Sequence, residues 1–270
     1  MGENQWSDRR IASEVAWQRV RALPSLLEVV AVKKVYAIAM TAGVMIAIYL
    51  AISRVYPFDW TVVLKYRRVF INGLVMTMSL SGFSLLISFA VGIVFALMRR
   101  SSGIFREFAI LYVFFFRNTP LLVVILLTYY GLGSIIPFDR FWAAVMGLSA
   151  FEGAYIAEIV RSGLDAVDKG ELEAAFSLGL TKSEVFFYVH FPQAIRISLP
   201  ALIGQSISLV KDSSLASVIA LAELTMTGRQ VGTQTLASFE SYLTIAVFYV
   251  AVTSILSLIG HWLERRLAIP

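Results

Sequence analysis

Long runs without a charged residue alternate with short polar breaks along this chain. The first uncharged run is Val35–Ser53. Its distance from Met1 predicts a retained anchor, since the apolar core of a cleaved signal peptide lies closer to the start. The second, Val69–Met98, is thirty residues long; it exceeds the roughly 20 that a helix needs to cross the hydrocarbon core and leaves room for tilt. The third is broken: "FREFAILYVFFF" meets "RNTP", and "LLVVILLTYYGLGSIIPF" follows to Phe138. Neither half spares enough residues for its own crossing, so one crossing preceded by an interfacial helix is expected. Phe141–Val160, between Arg140 and Arg161, is the fourth. A fifth begins near Ile195 and meets Lys211 and Asp212, and a sixth runs from about Phe239 to Leu263. These runs predict an all-α membrane protein with six transmembrane helices.

Composition agrees. Apolar residues make up 58% and mean hydropathy is +0.76, while 15% of residues are charged, against about 25% in soluble domains. A net charge of +5 raises nucleic acid as a partner, but in a membrane protein it reflects cytoplasmic loops rich in Lys and Arg. Six spans put both termini on one side. Of the 23 Lys and Arg, fifteen fall on the side of the termini and seven on the other, Arg117 being unassigned. The termini are therefore expected in the cytoplasm, against the local pull of "KYRR" at 65–68. Residues 1–34 read as a cytoplasmic segment, with a weakly amphipathic run through Ile11, Val15, Trp17 and Val20 suited to the lipid surface.

Between the fourth and fifth spans lies the least membrane-like internal stretch, "KGELEAAFSLGLTKSEVFFYVHFPQ", Lys169–Gln193. Asp168 with Glu171, and Thr181 with Glu184, have capping-box spacing and mark two helix starts. Gly179 sits where the first helix should end, because glycine accepts the left-handed backbone of a tight exit. Pro192 is expected to stop the second helix. Leu172, Ala175, Phe176 and Gly179 form a narrow apolar stripe. Ala174 and Ala175 keep the helix thin enough for another protein to grip, and two helices lying on lipid headgroups fit the pattern equally.

"EAAFSLGLTKSEVFFYVHFPQAIRISLP" resembles the EAA loop of ABC-importer permease subunits, matching at Glu173, Ala174, Ala175, Gly179, Ile197, Leu199 and Pro200. "FRNTPLL", "GAYIAEIVRSGL" and "LVKDSSLASVIALAEL" are similar to the polar amino-acid uptake family. The resemblance covers about Ile71 to the carboxyl end, and departs at Arg117-Asn118-Thr119-Pro120, where the family usually has R-G-T-P. It implies a transporter transmembrane domain over 69–266 with an extra helix at 35–54. The insert becomes a cytoplasmic coupling helix, gripped by an ATPase through Glu173, Ala174, Ala175, Phe176 and Gly179. It also implies a second permease subunit, identical or not, two ATPase subunits and an external substrate-binding protein, in the inner membrane of a bacterium. Another polar solute, such as an opine or an osmoprotectant, fits the same class.

Catalytic chemistry is not encoded in recognisable form. "GLTKS" at 179–183 lacks the spacing of a phosphate loop, and "LSGFS" at 80–84 lies inside a span. No cysteine is present, and His190 and His261 are the only histidines. Both are expected at span ends as interfacial side chains; no metal or other cofactor is expected. An intramembrane hydrolase using Ser81 with His190 or His261 is the enzyme-class alternative, and a channel or scaffold the third. Neither explains the insert.

Charges inside the spans carry the candidate substrate site. An acid at a helix centre costs about 2.5–3.5 kcal/mol on the insertion scale. Glu152 lies near the middle of its span with Tyr155 one turn on, whereas Glu158 has Arg161 three residues away. An α-amino acid carries an ammonium, which suits Glu152. Its carboxylate suits Arg117, Lys211 or a half-helix terminus near Pro120. The candidate set is Glu152, Tyr155, Arg117, Asn118, Lys211, Asp212 and Ser214. A structural alternative pairs Glu152 with Lys211, and snorkelling to the headgroups is the alternative for Arg117.

Overall fold

The computed structural model describes residues 32–33, 35–37, 39–137 and 139–267, so the amphipathic run expected before residue 32 lies outside the described residues. Those residues are helical throughout apart from short connections, with no strand among them. A first compact unit ends at Phe58 and contains α1, Val35–Ser53. Its side chains are exposed along nearly its whole length, and it is long and apolar enough to cross a membrane.

The second unit begins at Asp59. It comprises α2 (Thr61–Lys65), α3 (Arg67–Met98), α4 (Ile104–Asn118), α5 (Leu121–Leu126), α6 (Arg140–Asp165), α7 (Lys169–Ser177), α8 (Lys182–Glu184), α9 (Phe191–Asp212), α10 (Leu224–Thr235) and α11 (Ser238–Leu267). At the centre α3 packs on α6. The Ser149 hydroxyl donates to the Ser84 carbonyl at 3.2 Å, Gly92 abuts Ile156 and Gly153, and Arg99 bonds Glu158. Partner numbers rise together, so the two helices run parallel. The chain between them must return to its starting end. It does so through α4 and α5, which meet at 108° across Thr119-Pro120. Pro120 supplies the break because it has no N–H to offer α4 and is preset for the first turn of α5.

α9 runs antiparallel to α6. Ser198 Oγ donates to the Ile159 carbonyl at 3.2 Å, and the buried His190 places Nε2 at 2.8 Å from the Leu164 carbonyl. At this crossing a Cβ on Gly163 would collide with Ser198 Oγ and lie 2.6 Å from the Ala194 carbonyl. Lipid tails are as apolar as leucine, so burying Leu80, Leu148, Ile156 or Leu202 gains little by transfer, and close packing holds the helices together. Thr77, Ser81, Ser84 and Ser88 line the buried side of α3, where small residues let the backbones approach.

At the end of the bundle remote from α7 and α8, two buried acids staple the backbone. Glu223 caps α10 through the N–H groups of Thr225 and Met226 at 2.8 and 2.7 Å. Burial pushes its carboxyl above the usual range, and these bonds oppose the shift. Glu240, at the start of α11, accepts the Asp59 N–H at 2.6 Å.

Three expectations change. Pro192 does not stop the second insert helix: α8 continues through a wide turn at Val185–His190 into α9, with Pro192 in the first turn of α9. A π turn changes the carbonyl pairing just ahead of the proline, and a first helical turn tolerates its missing N–H. His190 is not interfacial but buried against α6. The box expected at Asp168 and Glu171 does not form among the described residues: Asp168 Oδ1 caps α7 by accepting the Gly170 N–H at 2.6 Å, not the Glu171 N–H. By length and apolarity four described helices can cross a membrane, or five if the bent α4–α5 pair is one span. α9 is not among them, because Gln193, Arg196, Gln205, Lys211 and Asp212 dilute its apolar character.

Candidate functional site

Two polar centres and one polar insert contain nearly all the residues singled out. The first centre is an open cavity of about 490 Å³ bordered by Arg99, Phe114, Arg117, Asn118, Tyr155 and Glu158. α4 brings Arg117 and Asn118 to its last turn, where Asn118 Nδ2 donates to the Phe114 carbonyl at 2.7 Å. α6 brings Tyr155 and Glu158, one turn apart. Glu158 is the hub: Arg161 reaches it at 2.5 Å, Arg99 bonds it from the end of α3, and Arg117 lies 3.8 Å away. The pairing of Glu158 with Arg161 agrees with the sequence; Arg99 and Arg117 are additional. Asp165 also pairs with Arg161 at 2.5 Å, so two carboxylates serve three guanidiniums and one positive charge is left to spare. Arg117 is the least engaged, with one long ion pair and its guanidinium 5.4 Å from the centre of the Tyr155 ring. A cation held over a ring face beside a cavity is placed to take a carboxylate.

The second centre is Glu152, at the middle of α6 and 0% exposed. Gln205 Nε2 on α9 donates to its Oε2 at 2.6 Å, while Oε1 is buried without a hydrogen-bond partner among the described residues. The pairing with Lys211 does not form: Lys211 is exposed and makes no ion pair among the described residues. Gln205 occupies the position facing Glu152, and Lys211 follows it by less than two turns of α9. Asp212 lies near enough to Glu152 for their charges to interact. Asp212 and Ser214 are half-buried at the end of α9 and in the tight turn that follows. The structure thus joins Arg117, Asn118 and Tyr155 in one cavity, sets Glu152 with Gln205, and leaves Lys211, Asp212 and Ser214 outside the cavity wall.

The insert is a helical hairpin. In α7, Ala175 is buried and Leu172 packs inward, while Glu173, Ala174 and Phe176 are exposed. The stripe read from spacing is therefore divided between core and surface. Gly179 leaves α7 at φ +84°, and a Cβ there would meet nothing within 4 Å. Leu178 beside it is 82% exposed. Thr181 and Glu184 form a complete capping box, with Thr181 N–H to Glu184 Oε2 at 2.8 Å; the backbone bond holds the Glu184 carboxyl below its usual range.

Sequence reasoning missed Gln205, Arg99, Glu223 and Glu240. Gln205 carried a usable signal, since an amide inside a span needs a partner as an acid does. The hydrolase pairing is not assembled. Ser81 Oγ has no hydrogen-bond partner among the described residues, and His261 bonds the Ser257 carbonyl of its own helix.

Residues 88–269 match the family described as binding-protein-dependent transport system inner membrane component. The chain belongs to that family. Among its relatives is a probable amino-acid ABC transporter permease protein, PatM, of Vibrio harveyi. It is 34% identical over 215 residues, covering 78% of this chain and 96% of the relative. The glutamine transport system permease protein GlnP of Escherichia coli K12 is 35% identical over 216 residues, covering 78% of this chain and 99% of the relative. A crystal structure of an amino acid ABC transporter with histidines superposes at a TM-score of 0.74 with 39% identity. That match covers 78% of this chain and all of that one. Family members of this kind are permease subunits rather than catalytic ones. α1 precedes the family match.

Proposed function

We propose that this chain is the transmembrane permease subunit of an ATP-driven importer for a polar amino acid. The observation that carries this reading is the cavity where α4 and α6 bring Arg117, Asn118 and Tyr155 together beside Glu158. It sits in a family fold whose relatives include amino-acid permeases. Arg117 takes the substrate carboxylate, with Asn118 and Tyr155 shaping the site. Glu152 meets the ammonium once its bond to Gln205 opens, helped by the charge of Asp212; Lys211 and Ser214 flank the route beyond.

Six spans are supported by the parallel packing of α3 on α6, which requires one net return through α4 and α5; placing both termini and the insert in the cytoplasm is supported by the fifteen-to-seven bias of Lys and Arg. In this topology residues 69–266 form the transporter domain, 35–54 an additional span and 1–34 a cytoplasmic segment. The chain works with a second permease subunit, identical or not, two ABC ATPase subunits and an external substrate-binding protein. Exposed Glu173, Ala174 and Phe176, with the turn at Gly179, form the surface that an ATPase cleft grips. ATP binding draws the ATPases together and moves the inserts, and the bundle passes from inward- to outward-facing.

Uptake of labelled amino acids by cells expressing the whole transporter tests the site. Arg117→Gln removes the carboxylate partner and should raise the apparent Km about ten- to a hundredfold, the equivalent of one charge-assisted bond of about 1.5–3 kcal/mol. Arg117→Lys should recover part of the loss. Unchanged uptake by Arg117→Gln would remove the site.

A further inference from the structure

At the end of the bundle remote from the insert, α2 and the first turn of α3 form an elbow with an unusual charge. Lys65, Arg67 and Arg68 are all exposed within four residues, and none makes an ion pair with an acid among the described residues. Their internal contacts leave the charge available: Arg67 Nη1 donates to the Leu64 carbonyl at 3.1 Å, and Lys65 Nζ lies 5.7 Å from the centre of the Tyr66 ring. The elbow contradicts the usual distribution of cations, which favours the cytoplasmic side. With the insert in the cytoplasm, this end of α3 faces outward. Among the described residues no acid supplies the counter-charge of this cluster.

The depth of the elbow identifies that counter-charge. The uncharged run of α3 starts at Val69, one residue past Arg68, which puts the three cations where hydrocarbon gives way to headgroups. Leu64 is 69% exposed and Trp60 39% exposed, and apolar and aromatic side chains at this level enter the interface. α2 is tied to the bundle through its buried Val62, and the preceding Asp59 N–H is held by Glu240, so the elbow is not free to leave that depth. An acidic protein partner would not explain exposed apolar residues among the cations; a membrane surface explains both.

We propose that Lys65, Arg67 and Arg68 form a binding site for the phosphate of anionic phospholipid headgroups in the outer leaflet. The site rests on the orientation given above but not on the identity of the transported solute. Each cation near an anionic surface changes lipid binding by about fivefold, so removing all three should change it by about a hundredfold.

The experiment uses the complete transporter purified in mild detergent, titrated with fluorescent phosphatidylglycerol or phosphatidylcholine of the same acyl chains. Wild type should prefer phosphatidylglycerol by at least tenfold. The preference should vanish in K65Q/R67Q/R68Q, weaken in K65Q/R68Q, which keeps the Arg67–Leu64 bond, and persist in K65R/R67K/R68K. Subunit composition on gel filtration serves as the folding control, and the charge-preserving variant decides the question if the triple neutral variant does not assemble. Equal discrimination by wild type and K65Q/R68Q would overturn the proposal. So would loss of capture of the external binding protein with lipid preference intact, because the cations would then serve a protein. In sealed vesicles, labelling of the elbow only by photoreactive phosphatidylglycerol placed in the inner leaflet would overturn the orientation and leave the amino-acid site standing.

Discussion

Replacing Gln205 by leucine removes the one amide that satisfies Glu152. The acid sits at 0% exposure, its Oε2 2.6 Å from Gln205 Nε2 and its Oε1 already without a hydrogen-bond partner among the described residues. In Gln205→Leu neither oxygen has a partner, and a stranded buried group costs about 1–3 kcal/mol, more if charged. The expected loss is therefore about 2–3 kcal/mol. Glu152→Gln keeps the shape and can still accept from Gln205; a neutral hydrogen bond is roughly half as strong as a charge-assisted one, so this variant should lose about 1 kcal/mol. The double variant should fall short of the sum by about 1–2 kcal/mol, because the two changes destroy one interaction. Reversible unfolding of the purified permease in mixed micelles, titrated with dodecyl sulfate, measures the cycle. Lys211→Met is the control, and its effect should add to that of Glu152→Gln within about 0.5 kcal/mol. Wild-type stability in Gln205→Leu would refute the reasoning. Coupling of Glu152 to Lys211 as large as its coupling to Gln205 would refute it too.

Gly179 leaves α7 at φ +84° with open space around a Cβ. Gly179→Asn should then retain coupling, since asparagine tolerates this backbone, whereas Gly179→Asp should insert normally yet lose substrate-stimulated ATP hydrolysis by placing a charge on the gripped surface. Gly179→Ala should lie between them, because strain of about 1–2 kcal/mol is its only defect. Topology is tested on this cysteine-free background by a single cysteine at position 182, which should be labelled only after the inner face is exposed; labelling from outside intact cells would invert the arrangement.

Much of the helical architecture was legible because lipid imposes one rule: backbone polar groups must be satisfied within the helix. The long charge-free run at 69–98 becomes α3, and the broken segment around "RNTP" becomes the bent pair α4–α5. The capping box at Thr181 and the left-handed exit at Gly179 are also local chemistry, readable without knowing the neighbours. The effect of Pro192 depends on what precedes it: a π turn at 185–190 absorbs the break that the residue alone predicts. The polar and charged residues inside the spans are legible in the sequence, but their pairings are not. Arg117 and Tyr155 can be suspected from charge and depth. Which of Gln205 and Lys211 faces Glu152 depends on the rotation of α9 against α6, and that is set by close approach at Gly163 rather than by charge. Arg99 was hidden as an ordinary loop cation until the packing of α3 on α6 carried it to Glu158.

The most direct measurement of the account is ATP hydrolysis and amino-acid accumulation in liposomes containing this chain with its copurified partners. Addition of substrate-loaded external binding protein should accelerate hydrolysis and drive labelled amino acid inward, and this chain reconstituted alone should neither bind an ATP analogue nor accumulate substrate. Accumulation without ATP, or hydrolysis by the isolated chain, would contradict it.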